Sequence, residues 1–167
     1  MTERDRLVDQ LEREIGGEPW HGASLKNILE GISAEQAARK PSEHAHSIWE
    51  IVLHMTGWKR EVTRRAQKHT AAEPVGGDWP AVGQVSEERW RAACDDHLRA
   101  QRELVELVRT LSDEELDTKV KGNPAASIGA GISVRAILYG ILQHDVYHAG
   151  QIALLKKIGG GSIRYGL

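Results

Sequence analysis

Apolar residues recur at spacings of three and four along nearly the whole chain, and no sustained alternation of apolar and polar residues interrupts them. Four long segments carry this helical period. They cover about residues 3–15, 48–68, 86–111 and 133–158. The pattern therefore predicts an all-α protein, built as a bundle of four long helices.

Capping motifs mark where several helices should begin. Ser47 is followed three residues later by Glu50, so its hydroxyl can accept from a free backbone N–H while the carboxylate reaches back to the cap. Similar capping boxes begin at Ser33 and Ser112, and each predicts a single helical turn. A further short helical piece is expected over about residues 22–31. The predicted bundle thus carries short accessory helices between the long ones.

Two stretches rich in glycine and proline predict long connecting loops. Residues 74–80, PVGGDWP, separate the second and third long helices, and residues 119–131 precede the last one. Long loops in compact proteins often border a functional site. We find no internal repeat, and 167 residues suit one domain spanning residues 1–167.

Composition excludes several classes of protein. The 22 basic and 24 acidic residues are mixed along the chain and give a formal charge of −2, so no basic face for nucleic acid is expected. The N-terminal residues MTERDRLVDQ lack the apolar stretch of a signal peptide, and no apolar run is long enough to span a bilayer. The single cysteine, Cys94, suits a reducing compartment. We expect a cytoplasmic protein without membrane or nucleic-acid partners.

Two of the eight histidines, His144 and His148, lie four residues apart on the last predicted helix. This spacing places both imidazoles on one face, with Cβ atoms about 5–6 Å apart. The same spacing carries the zinc ligands of some metalloproteases, but the glutamate that follows their first histidine is here Asp145. The pair therefore predicts metal binding without the protease signature.

A third histidine, His54, falls on the apolar face of its own helix, as His144 and His148 do on theirs. A buried imidazole needs partners for both ring nitrogens, and one divalent metal would serve all three side chains. The alternative is that each is buried singly and hydrogen-bonded. The other five fit solvated or capping positions, namely His21, His44, His46, His69 and His97; His21 is also a candidate proton shuttle above the metal.

Three segments resemble the DinB/YfiT-like metal-binding superfamily. Residues 143–152, QHDVYHAGQI, are similar to its final-helix signature, and residues 47–54, SIWEIVLH, are similar to its second-helix signature. Residues 20–22, WHG, resemble a segment found in one branch. The resemblance implies a four-helix bundle in which His54, His144 and His148 hold one divalent metal, with water at the remaining positions. Such bundles often form homodimers, which we expect here.

The resemblance also implies candidate activities. Some relatives are S-transferases that use bacillithiol or mycothiol, and a mycothiol-dependent maleylpyruvate isomerase has a related domain. The expected function is therefore a metal-dependent thiol S-transferase or hydrolase acting on a small molecule. The alternative is a non-enzymatic, stress-related bundle in which the metal is structural.

Ligand chemistry narrows the cofactors only partly. Three histidines with an open position are typical of catalytic zinc, and imidazole also suits nickel, copper and iron. We predict zinc or nickel, with iron or manganese as alternatives, and a low-molecular-weight thiol as a candidate second cofactor. Glu50, Asp145 and Gln151 are candidates to orient the ligands. The coordination sphere of a structural metal would instead be completed by a fourth side chain, from Cys94, His21 or Glu50.

Overall fold

The computed structural model describes residues 1–123 and 128–163, and within these ranges the chain is helical, with only isolated β-bridges. The helices in order are α1 (Glu3–Gly16), α2 (Leu25–Leu29), α3 (Ala34–Ala38), α4 (Ile48–Lys68), α5 (Glu87–Thr110), α6 (Asp113–Asp117) and α7 (Val134–Ile158). The predicted all-α bundle of four long helices with short accessory helices is confirmed. None of the described helices combines the length and apolar character that a membrane span requires.

Helix starts follow the predicted caps. The Ser47 amide donates to Glu50 over 2.8 Å while the Glu50 amide donates to the Ser47 hydroxyl over 3.2 Å, so α4 begins with a complete capping box. The boxes at Ser33 and Ser112 also form. Helix α2 is shorter than predicted, because the flanking residues Ser24 and Glu30 have non-helical ψ values of 157° and 131°.

The apolar core has two parts. One joins α1, α5 and α7 with the second half of α4, and its central side chains are Leu7, Leu11, Leu104, Val108 and Leu138. The other joins α2 and α3 to the first half of α4 and the last turns of α7, around Leu25, Trp49, Met55 and Ile152. Helix α4 thus packs in both parts of the core, which fixes its position against α7.

The predicted loop over residues 119–131 is tied to the end of α4. The Lys121 amide donates to the carbonyl of His69 over 2.7 Å, and the Ala71 amide donates to the carbonyl of Lys121 over 2.8 Å. The amides of Val120 and Gly131 complete a second pair of bonds within the loop. Residues 124–127 of this predicted loop lie outside the described residues.

Candidate metal centre

Three imidazoles meet between α4 and α7. One ring nitrogen from each of His54, His144 and His148 lies within 4.8 Å of the others. The three pairs of ring centroids are 4.4, 4.8 and 4.9 Å apart. His54 and His148 are buried, and His144 is partly exposed. The structure therefore brings together all three histidines selected from the sequence, and their role as metal ligands remains a prediction.

The protein directs the Nε2 atoms of His54 and His148 toward the cluster. His54 Nδ1 lies 2.7 Å from the backbone carbonyl oxygen of Asp78, which can only accept, so Nδ1 carries the proton. His148 Nδ1 lies 2.6 Å from Gln151 Oε1, which fixes the same tautomer. Each ring therefore presents an unprotonated Nε2 when neutral. Of the predicted orienting residues, Gln151 does contact a ligand candidate.

Burial keeps these imidazoles neutral. Loss of solvent lowers the pKa of His54, and it lowers the pKa of His148 to about 4. A neutral imidazole with a free lone pair is the form that binds a metal ion. Both side chains are consequently in their metal-binding form at neutral pH.

The position of His144 tests whether a metal fits. Its Nε2 lies 2.9 Å from Nε2 of His54, and without a metal one of these atoms must carry a proton for the other to accept. Because neutral His54 carries its proton on Nδ1, the proton between the two Nε2 atoms must belong to His144. Nδ1 of His144 is then unprotonated beside the Asp145 carboxylate, and this buried atom has no hydrogen-bond partner. Metal ligation by Nε2 of both histidines would remove the conflict, because His144 would then carry its proton on Nδ1, which lies 3.7 Å from Asp145 Oδ1. The donor set therefore fits a divalent metal.

A loop segment holds His54 from the other side. Trp79 stacks on the His54 ring with centroids 3.9 Å apart, and His46 stacks on the opposite face of Trp79 at 3.5 Å. Trp58 Nε1 donates to Asp78 Oδ1 over 2.6 Å. This bond holds Asp78 in place, and the backbone carbonyl of Asp78 accepts from His54. His46, expected to be solvated or capping, is therefore half-buried and belongs to the surroundings of the site.

A buried ion pair lies behind the cluster. Lys59 and Asp145 are both fully buried, and Lys59 Nζ lies 2.6 Å from Asp145 Oδ2. The ammonium also donates to the side-chain oxygen of Gln101, whose amide nitrogen donates to the Leu11 carbonyl over 2.5 Å. Asp145 is thus held by Lys59 and faces His144, so this chain of contacts links the histidine cluster to α1, α4 and α5.

The expectation that His97 is solvated is wrong. His97 is fully buried, and its Nδ1 lies 3.0 Å from the Thr56 hydroxyl. Because that hydroxyl donates to the Val52 carbonyl, it accepts from His97, whose Nδ1 therefore carries a proton. Burial and the nearby Lys59 charge lower the pKa of His97 to about 3. The spacing of His97 from Trp90 and Leu104, both seven residues away, would have placed it on the core face.

Glu14 is a second buried ionisable group that sequence reasoning did not identify. It is 1% exposed, and neither carboxyl oxygen has a hydrogen-bond partner. Burial and the nearby charge of Asp145 raise the pKa of Glu14 to about 8. Glu14 is therefore protonated at neutral pH.

The candidates for a fourth ligand lie elsewhere. Glu50 caps α4 and pairs with Lys40 at 2.9 Å, so it does not orient His54. His21 is exposed and is part of neither the histidine cluster nor the lining of the cavity that opens onto it, so the structure gives no support to a shuttle role. Cys94 is not part of the cluster, and burial raises the pKa of its thiol to about 12. Within residues 1–123 and 128–163, no further His, Cys, Asp or Glu joins the three histidines.

A cavity of about 380 Å³ opens directly onto the cluster. All three histidines line it, and its remaining walls come mainly from apolar side chains of α4 and α7 and from the loop before α7. Its volume lies in the range of small-molecule sites. An ion held by the three histidines would therefore be reachable from this cavity.

Comparison with known proteins places this geometry in a family. The structure is similar to a DinB-like protein, YjoA from Bacillus subtilis, with a TM-score of 0.69, 15% identity and coverage of 97% of this chain and 96% of that one. It is also similar to YfiT from Bacillus subtilis, described as a probable metal-dependent hydrolase with an unusual four-helix bundle topology, with a TM-score of 0.69, 15% identity and coverage of 95% and 89%. No curated protein matches the sequence. The model of the DinB superfamily matches residues 20–152. This chain belongs to the DinB superfamily.

Proposed function

We propose that the chain is a metal-dependent enzyme whose divalent ion is held by His54, His144 and His148. The observation that carries this proposal is the donor count: three convergent imidazoles, with no fourth protein ligand in the described part of the chain. Catalytic zinc has three protein ligands and an open coordination position, whereas structural zinc has four protein ligands and no open position. The cavity of about 380 Å³ gives a small molecule access to that position.

When bound, the metal would lower the pKa of a thiol or a water molecule and so supply a nucleophile near neutral pH. The Asp78 carbonyl and the Gln151 amide orient two of the imidazoles by hydrogen bonds, and the Asp145 carboxylate lies 3.7 Å from Nδ1 of the third. In thiol transfer, the thiolate sulfur forms a bond to an electrophilic carbon, the leaving group departs with its bonding electrons, and the thiol proton passes to solvent. Our first candidate is such an S-transferase, and the second is a hydrolase, for which the description of YfiT provides support.

Zinc or nickel suits the site best. Three imidazoles without a carboxylate form a donor set of intermediate softness, and manganese prefers carboxylate and other oxygen ligands. Iron sites of the oxygenase type use two histidines and one carboxylate, so iron is also a weaker candidate.

The competing reading is a non-enzymatic protein in which the metal stabilises the bundle. It requires a closed coordination sphere, whereas the cavity reaches all three histidines. Cobalt-substituted, tag-free protein separates the two, because its absorption spectrum reports ligand exchange. We expect added mercaptoethanol to produce a sulfur-to-cobalt absorption band. A spectrum insensitive to thiol contradicts the transferase, and one insensitive to both thiol and azide contradicts any open site.

Two further expectations remain predictions. A homodimer is expected from family resemblance, and multi-angle light scattering of the tag-free protein checks it. The cytoplasmic location is checked by fractionation of cells that express the untagged chain.

A further inference from the structure

We propose that the cavity beside the three histidines takes the uncharged, apolar body of the substrate, whose reactive group points to the histidines. This inference rests on the proposed function, because it assumes that the reaction takes place at the metal centre. It adds the chemical class of the substrate and names Gly140 as the residue that admits it.

The lining of the cavity extends along α4 and α7 and has two different ends. His54 and His148 line one end, and Arg65 and Ile137 line the other. Arg65 and Ile137 are close together, since a Cβ atom placed on Gly129 would lie 3.0 Å from Arg65 Nη1 and 3.2 Å from Ile137 Cγ2. Helices α4 and α7 therefore run antiparallel beside the cavity. The eleven-residue steps from His54 to Arg65 and from His148 to Ile137 correspond to about 16 Å of helix.

The walls between the two ends are apolar. Trp58 and Val62 of α4 face the cavity on one side, and Ile137 and Ile141 of α7 face it on the other, with Ile132 from the preceding loop. A cavity of about 150 Å³ is enough to hold benzene. The volume of about 380 Å³ therefore accommodates a substituted aromatic or a branched aliphatic group. Burial of such a group against these side chains favours binding in proportion to the apolar area removed from water.

The two charged side chains of the cavity, those of Arg65 and Asp78, already have partners within the protein, and Asp78 Oδ1 accepts from Trp58 Nε1. Arg65 Nε donates to Glu61 Oε1 over 2.7 Å, and its two terminal nitrogens donate to the carbonyls of Ile128 and Ala72. The guanidinium also lies 5.3 Å from the ring centroid of Trp58. Its charge is therefore balanced within the protein. A carboxylate at this end would lose hydration without gaining an unpaired cation.

Gly140 has no role in packing that explains its lack of a side chain. It lies in the second turn of α7 and lines the cavity. A Cβ atom added there would meet nothing within 4 Å, and its φ is not in the left-handed region. Glycine inside a helix is less favourable than almost any other residue, so the helix itself gains nothing from it. What glycine does provide is space in the cavity wall, which makes Gly140 a specificity-determining residue.

The same helix supplies a matched control. Gly150 is also helical and exposed, a Cβ atom there would also meet nothing within 4 Å, and it does not line the cavity. Gly140→Leu and Gly150→Leu add the same side chain and both favour helix formation. Only the first variant places four carbon atoms in the cavity.

Calorimetric titration of the protein as purified with 3-phenylpropanol tests the inference without relying on metal chemistry. We expect saturable binding that Gly140→Leu weakens at least about tenfold and that Gly150→Leu leaves unchanged. The matched probe 3-(4-carboxyphenyl)propanol, which adds one carboxylate at the far end of the ring, should bind at least about tenfold more weakly. Absence of 3-phenylpropanol binding, or equal effects of the two leucine substitutions, would overturn the apolar site. Tighter binding of the carboxylate would overturn the uncharged class and make Arg65 an anion anchor.

A second titration distinguishes failure of this inference from failure of the proposed function. Cobalt-substituted protein is titrated with 3-phenylpropanethiol and with 3-mercaptopropionate. If neither thiol changes the cobalt spectrum but 3-phenylpropanol binds as expected, thiol transfer fails and the apolar cavity stands. If both thiols bind cobalt equally well, and 3-phenylpropanol does not bind, the metal site stands and the inference fails.

Discussion

Trp79 lies flat against the imidazole of His54, with ring centroids 3.9 Å apart and only 7° between the ring planes. His46 covers the other face of Trp79, so the three rings form one stack. The contact matters because His54 is the only member of the histidine cluster that comes from α4. Its ring orientation is fixed by the loop residue that stacks on it and by the neighbouring Asp78 carbonyl.

Removal of this stacking contact should weaken metal binding. We expect Trp79→Ala to lower metal affinity roughly tenfold, the lower end of the range for residues that orient a metal ligand. Competition with a chelator of known affinity measures the change. Trp20→Ala is the control, because Trp20 is fully exposed and outside the site. Equal affinities of the two variants would show that Trp79 does not position His54.

The Gln151 side chain should matter in the same way for His148. Its Oε1 accepts from His148 Nδ1 at 2.6 Å and thereby leaves Nε2 free for the metal. We expect Gln151→Ala to lower metal affinity about 10–100-fold. Gln143→Ala makes the same chemical change at an exposed position of α7 and should have no effect. An unchanged affinity in Gln151→Ala would mean that the tautomer of His148 is fixed in another way.

The buried pair of Lys59 and Asp145 predicts a large loss of stability when one partner is removed. Lys59→Met leaves Asp145 as an unpaired buried charge, which should cost about 3–5 kcal/mol of unfolding free energy. The double variant Lys59→Met/Asp145→Leu removes both charges and should recover much of that loss. Urea unfolding of both variants provides the measurement. A double variant less stable than Lys59→Met would contradict the argument from uncompensated charge.

Glu14 predicts a specific pH dependence of stability. The pKa of the Glu14 carboxyl is raised from its reference value of 4.5 to about 8 in the folded protein. Between these two pH values the folded protein therefore binds more protons than the unfolded chain. The unfolding free energy should therefore fall as pH rises from about 4.5 to about 8. Glu14→Gln, which cannot ionise, should flatten this fall in thermal melts recorded with a chelator present. The exposed Glu12→Gln on the same helix should retain it, and a wild-type slope in Glu14→Gln would refute the prediction.

The histidine cluster could be predicted from the sequence because it depends on the local spacing of residues along two helices. His144 and His148 are one turn apart, and His54 occupies an apolar position of a helix whose start is defined by Ser47. The helix bounds were accessible for the same reason, since capping boxes and glycines act within a few residues. Family resemblance then connected the two segments.

The surroundings of the cluster depend on contacts between distant segments, which local patterns do not encode. Lys59 and Asp145 are charged residues, and their ordinary location is the protein surface, so only the assembled bundle identifies them as buried partners. Trp79 lies in a loop, and its stacking on His54 depends on how that loop folds back over α4. His97 is the exception, because its spacing from Trp90 and Leu104 already marked the core face.

Metal analysis of tag-free protein tests the central claim most directly. After loading with zinc and removal of free metal, the wild-type chain should contain about one ion per chain, since the three histidines form one cluster. His144→Ala should lose this stoichiometric ion, and His21→Ala, which changes an exposed histidine, should retain it. Equal metal content in wild type and His144→Ala would contradict the account.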